Sequence, residues 1–235
     1  MPFTAAESGK RFKLEYALQF GLLPLIHSSQ NSGDTLRAYA GLYLKEEVQA
    51  EGIVRNIGDF ARFLEILSLK IAEGYLNILQ DLLLCHLVPV FTKCAKRRIV
   101  SHPKFYYFDI GIFRSLRSQG PLDTATEVFG HTLEGLVLQH LQAWNDYSDL
   151  DYKIYYWRTT SGVEVDFVLY GPNGLWTIEV KNNKNVSTKE VRGLCVFGED
   201  YPEAELLLLY RGTQKMKIKN VLCMPVEDFL QGLPS

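Results

Sequence analysis

Residues 163–181 read VEVDFVLYGPNGLWTIEVK, two apolar runs that carry three acids and a lysine around a Gly-Pro-Asn-Gly turn. Successive residues of a strand point to opposite faces of its sheet. Alternation then puts Glu164, Asp166 and Val168 on one face of the first run, with Val165, Phe167 and Leu169 on the other. In the second run Thr177, Glu179 and Lys181 share a face, and Trp176, Ile178 and Val180 oppose them. A short antiparallel connection through Pro172, Asn173 and Gly174 brings Asp166, Glu179 and Lys181 to one side of one sheet. Carboxylates held that close repel unless a cation lies between them. Mg²⁺ suits such a site, because it takes a few carboxylate oxygens and keeps several waters. Lys181 is then placed to orient or activate a water, or to stabilise charge developing on a phosphorane.

A fourth member comes from the preceding helix. In HTLEGLVLQHLQAW, Glu134 shares a helical stripe with Val137, Leu138 and Leu141. A carboxylate on an apolar stripe is costly without a partner, and the acidic sheet face supplies one through a shared metal. His131 and His140 lie on the same helix, and their loose spacing suits core or surface histidines better than ligands. Trp144, Trp157 and Trp176 read as packing residues.

Asp166 followed thirteen residues later by Glu179-Val180-Lys181 resembles the PD-(D/E)XK, or restriction-endonuclease-like, superfamily. The order helix–strand–strand–strand–helix–strand is similar to its common core. The spelling YYWRTTSGVEVDFVLY…LWTIEVK resembles, more narrowly, the uncharacterised C-terminal nuclease-like domain of bacterial and archaeal AAA-type P-loop ATPases. LRAYAGLYLKEEVQAEG and HPKFYYFDIGIFRSL extend the similarity over roughly residues 15 to 225. The resemblance implies Asp166, Glu179 and Glu134 as metal ligands, Lys181 as the catalytic lysine, and Mg²⁺-dependent hydrolysis of DNA phosphodiesters. Glu164 is a weaker candidate on the same face. A non-catalytic nucleic-acid-binding or protein-interaction module, working with a separate ATPase, is the alternative.

This chain departs from that family twice. AAESGKR has a Gly9-Lys10 pair but lacks the earlier glycine of a P-loop, and Arg11 stands where a Mg²⁺-binding Ser or Thr belongs. No ATP binding is expected. At AEGYLNILQDLLL the usual recognition helix of a winged helix is missing, leaving no element for major-groove reading. ESGKRFKLEYALQFGLLP reads as the tail of an ATPase lid, turned into a docking or poorly ordered surface.

The expected fold is therefore α+β. Residues 1–122 form a helical module with a small β element, a winged-helix remnant, and residues 123–235 a restriction-endonuclease-like domain with a central mixed sheet flanked by helices. The boundary falls in SQGPLDT. Helices are expected after an Asp34 cap, at 57–74 and at 76–85, then a β-like stretch, then a short helix capped by Asp109. Ser187 and Glu190 spell a capping box for a helix near 188–198.

Composition supports a large core: 47% of the 235 residues are apolar. A net charge of -2 supplies no global field for nucleic acid, so any such site is local. KCAKRRIVSHPK is the local candidate, with Lys93, Lys96, Arg97, Arg98 and Lys104 available to phosphates or simply solvated. Four cysteines without a C-x-x-C pair read as reduced thiols of a cytoplasmic protein. No apolar run is long enough for a membrane span.

Overall fold

The computed structural model describes residues 2–50, 85–116 and 125–233, with only the backbone of 43–50, 116 and 125–128. The helices expected at 57–74 and 76–85 and the SQGPLDT boundary lie outside these residues, except that Cys85 opens a strand.

The fold is α+β. In chain order the elements are α1 (Ala5–Ser8), α2 (Leu14–Phe20), α3 (Pro24–His27), α4 (Ser32–Ala50), β1 (Cys85–Val88), β2 (Lys104–Tyr107), α5 (Ile110–Leu116) and α6 (Ala125–Tyr147). Then follow β3 (Lys153–Arg158), β4 (Glu164–Gly171), β5 (Gly174–Lys181), α7 (Arg192–Asp200), β6 (Glu205–Tyr210), β7 (Met216–Ile218), β8 (Val221–Pro225) and α8 (Val226–Gly232).

β3 to β8 form a mixed sheet in the order β3-β4-β5-β6-β8-β7. β3, β4 and β5 are antiparallel, β5, β6 and β8 parallel, and β7 returns antiparallel on β8. The expected turn joins β4 to β5 through Pro172 and Asn173, and Gly174 follows at φ 126, a conformation that suits glycine. The short strand β7, Met216–Ile218, is an addition to the strands expected from the sequence.

Each sheet face has its own core. Leu133, Leu136, Val137 and Leu141 of α6 pack on Phe167, Leu169, Ile178 and Val180, with Val226 and Leu230 of α8 beside them. Leu194 and Phe197 of α7 pack on Val165, Val168, Leu206 and Leu208 of the opposite face, with the fully buried Trp157. Burial of one such side chain contributes roughly 1.5–3 kcal/mol.

These memberships correct the simple alternation expected for β4. Val165 and Val168 belong to one face, Phe167 and Leu169 to the other. The cause is a β-bulge. Tyr155 pairs with Val168 and Trp157 with Val165, so three steps on β4 oppose two on β3. An extra residue in one strand shifts the side-chain alternation there. Phe167 thereby joins the α6 side, and Val168 leaves it.

The N-terminal segment is no loose surface, contrary to expectation. Ala17 and Leu18 of α2 are fully buried, and Ala5, Phe12, Leu14 and Leu22 share the α6 core. That core thus draws on both sides of the boundary placed after residue 122. Thr4 and Glu7 form a capping box on α1: the Glu7 N–H donates to Thr4 Oγ1 (3.2 Å) and the Thr4 N–H to Glu7 Oε2 (2.7 Å). AAESGKR is the sequence signature of this box only when Thr4 is read with it.

His140 ties this segment down. Its Nε2 accepts from the Ala5 N–H at 2.8 Å, so Nδ1–H donates to the Leu136 carbonyl at 2.8 Å. Burial lowers its pKa to about 4. A histidine depressed in the fold stabilises above its unfolded pKa and loses that stability as pH falls through the folded value. We expect His140→Gln to remove a stability loss on the order of 2–3 kcal/mol between pH 6.5 and 4. Paired chemical denaturation of both proteins across that range checks it; parallel curves would refute it.

Caps correct two further readings. Asn31 rather than Asp34 opens α4, since Asn31 Oδ1 accepts from the Asp34 N–H at 3.3 Å. Ser187 and Glu190 close a turn instead of capping a helix, with the Ser187 N–H donating to Glu190 Oε2 at 2.9 Å, and α7 starts only at Arg192. Asp109 does cap α5, accepting from the N–H groups of Gly111 (2.8 Å) and Ile112 (3.2 Å).

Candidate functional site

The register of β4 with β5 runs from Gly171 opposite Gly174 to Phe167 opposite Ile178. Beyond it the strands part, and the Val180 N–H donates to Asp166 Oδ2 at 2.9 Å. A side chain thus replaces the backbone partner that a regular ladder would supply. The parting opens a cleft of about 400 Å³ lined by Glu134, Glu164, Asp166, Glu179 and Lys181. All four residues singled out from the strand pair and the helix therefore line one cleft, with Glu164 among them.

Five more residues line the same cleft: Lys104, Phe105, Tyr106, His131 and Arg158. In the sequence Lys104 belongs to the basic segment, and the other four carry no site signal. Lys104 forms an ion pair with Glu164, and its Nζ lies 3.4 Å from Asp166 Oδ1 and 3.9 Å from Glu134 Oε2. Tyr106 Oη donates to Glu134 Oε2 at 3.3 Å. Arg158 Nε lies 3.6 Å from Glu164 Oε2. Lys181 pairs with Glu179 Oε1. Nothing within the local sequence links Lys104 to Asp166, which stands 62 residues away.

The electrostatics are those of crowded acids in a partly dry place. Burial, then the charge of Asp166, pushes both Glu134 and Glu179 well above the usual carboxylate range. Burial opposes the Lys181 ammonium, but Glu179 and Asp166 outweigh it and its pKa rises. Burial likewise opposes Lys104, and the groups around it, Tyr106, Asp166, Glu134 and Glu164, raise its pKa overall.

Glu179 Oε2 is buried and makes no hydrogen bond. An unmatched buried carboxylate oxygen beside a second carboxylate is a donor set for a hard cation. Among the described residues, no group of three or more His, Cys, Asp or Glu side chains is placed so that it could hold a metal ion. Two carboxylates such as Asp166 and Glu179 are the chemistry that would hold Mg²⁺, with water or phosphate supplying the remaining oxygens.

The rest of the basic segment lies elsewhere. Lys93, Lys96, Arg97 and Arg98 are exposed in the connection between β1 and β2. Arg97 Nε is 2.7 Å from Asp200 Oδ2, and its Nη2 is 3.1 Å from Glu199 Oε2. Lys93 Nζ stands 4.1 Å from the centre of the Tyr170 ring. His140 is a core histidine, as expected, and His131 is exposed at the cleft. Trp144 stacks on Tyr152, and Trp157 is fully buried, as packing residues do. The four cysteines are free thiols, with Cys94 exposed. No helix among the described residues is long and apolar enough to cross a membrane.

Residues 129–229 match DUF4143, a domain of unknown function. A second domain of unknown function, DUF8612, matches residues 67–123. No curated protein and no solved structure matches the chain. The DUF4143 region carries Glu134, Arg158, Glu164, Asp166, Glu179 and Lys181. Lys104 and Tyr106 reach the same cleft from the DUF8612 region.

Proposed function

We propose that the chain is a Mg²⁺-dependent nuclease of the PD-(D/E)XK type, acting on DNA. The observation that carries this reading is the unpartnered, buried Glu179 Oε2 in a cleft shared with Asp166, Glu134 and Lys181. Asp166 and Glu179 would hold the ion, and Glu134 would complete the shell or position a water. Bound there, Mg²⁺ supplies Lewis-acid polarisation of a phosphoryl oxygen and a more acidic water. Lys181, paired with Glu179 Oε1, enters as an ammonium. It suits orientation of the attacking water and stabilisation of phosphorane charge. The exposed cations between β1 and β2 would meet the DNA backbone, and their contribution would weaken with salt. By its resemblance the chain would work beside an AAA-type ATPase; its reduced thiols suit the cytoplasm, and the Gly9-Lys10 segment, which is no P-loop, leaves ATP hydrolysis to that partner.

A second reading has its own support. Lys104 and Lys181 already form ion pairs with the acids, an arrangement that also suits a non-catalytic nucleic-acid-binding or protein-interaction module. Incubation with linear, branched and single-stranded DNA in Mg²⁺ or Mn²⁺ separates the two. We expect metal-dependent cleavage of at least one substrate, abolished by chelator. Binding without cleavage, in either metal, would favour the second reading.

A further inference from the structure

Lys104 stands out among the cleft residues because the fold holds it there from a distance. Its strand, β2, pairs with β1, and Lys104 itself lies opposite Val88. The connection between those strands is bonded along the outer edge of β3. The Phe91 N–H donates to the Tyr156 carbonyl (2.7 Å), the Tyr156 N–H to Pro89 (3.0 Å), and the Val100 N–H to Arg158 (3.0 Å). Tyr156 Oη also donates to the His102 carbonyl. These bonds fix the backbone two residues before Lys104. The ammonium then sits among Glu164, Asp166 and Glu134, with Tyr156 beneath it, 5.3 Å from the ring centre.

We propose that Lys104 is the resting counter-cation of the acid cluster and exchanges with the divalent ion. The inference rests on the metal reading above. Asp166 Oδ1, 3.4 Å from Lys104 Nζ, would be claimed by both cations. Two positive charges within a few ångströms repel strongly in a partly dry cleft. Occupation by one therefore displaces the other. The lysine has a flexible four-carbon stem and rotatable donors, so its ammonium swings while its backbone stays. Once displaced, its ammonium would be free to meet a phosphodiester oxygen in the cleft. Lys104 thereby holds the acids together without metal and couples metal loading to arrival of phosphate. Its origin outside the DUF4143 region makes that coupling a property of the whole chain.

Two measurements test this on the full chain. The first is Mn²⁺ titration by calorimetry of wild type and Lys104→Met, without DNA, with folding checked by circular dichroism. We expect Mn²⁺ to bind Lys104→Met about tenfold tighter or more, the size of one lost competing ion pair. The second needs no variant: lysine labelling read by mass spectrometry on wild type. Lys104 should label several-fold faster with Mn²⁺ bound than without it. Equal or weaker Mn²⁺ affinity in the variant, or unchanged labelling while Mn²⁺ binds, overturns the exchange and leaves the metal site standing. Absence of Mn²⁺ binding in both proteins, with a short duplex present or absent, overturns the metal reading and the exchange together.

Discussion

Replacing Asp166 by Asn and Glu179 by Gln in one protein should abolish divalent-ion binding and reduce DNA cleavage by on the order of 10³-fold or more. The size follows from losing both carboxylates that the Mg²⁺ reading requires. The choice of amides keeps the fold. Asp166 Oδ2 accepts the Val180 N–H where the β4–β5 ladder ends, and alanine would strand that donor. Asparagine keeps a carbonyl oxygen for it. Glu179 Oε2 has no partner to lose, and a glutamine oxygen still meets Lys181. Calorimetric titration with Mn²⁺ and a cleavage time course measure the outcome. Cleavage at the wild-type rate would place the chemistry elsewhere; unchanged Mn²⁺ affinity would do the same for the ion.

Asp109→Ala should be the most damaging single change to stability, costing about 3–5 kcal/mol. The carboxylate is fully buried and accepts three backbone N–H groups, from Leu22 (3.0 Å), Gly111 (2.8 Å) and Ile112 (3.2 Å). Burial pushes its pKa up to about 6 despite these donors. Alanine leaves all three N–H groups dry and unmatched, at about 1–3 kcal/mol each before relaxation. For a chain of this size each kcal/mol lowers Tm by about 2–4 °C, so a fall of roughly 6–20 °C is expected. Two glycines allow the close packing around Asp109. Gly21 has φ +75, and a Cβ there would lie 2.2 Å from Asp109 Oδ1; a Cβ on Gly111 would lie 2.2 Å from the Phe20 carbonyl oxygen. Asp109→Asn should fall between, since its amide oxygen serves α5 while its NH₂ faces the Leu22 N–H. A melting curve for Asp109→Ala within 2 °C of wild type would show that the three N–H groups find other partners.

Asp109 also shows where sequence reading stops. Its place before IGIFRSL marks it as a cap, because a cap is a local bond between near neighbours. Its bond to Leu22, 87 residues away, leaves no mark in the local pattern. The same division runs through the site. Asp166, Glu179, Lys181 and Glu134 are legible because strand and helix periods are short and the Gly-Pro-Asn-Gly turn declares the pairing. The bulge between β3 and β4 is not legible, since it depends on how many residues of one strand oppose those of another. Read without it, alternation sends Phe167 to the wrong face.

Lys104 marks the boundary most clearly. In the sequence it belongs with Lys93, Lys96, Arg97 and Arg98, a run of cations that suits water or phosphate equally. In the fold those four stay exposed while Lys104 enters the acid cleft. The strand pair, its turn, the acidic pattern and the Asp109 cap were determined by the sequence itself, because each rests on side-chain period or on bonds within a few residues. The place of Lys104, Tyr106 and Arg158 around those acids, and the docking of the N-terminal helices on α6, were decided by tertiary structure. Both require distant segments to come together, and that is set by edge pairing and core packing over the whole chain rather than by any local pattern.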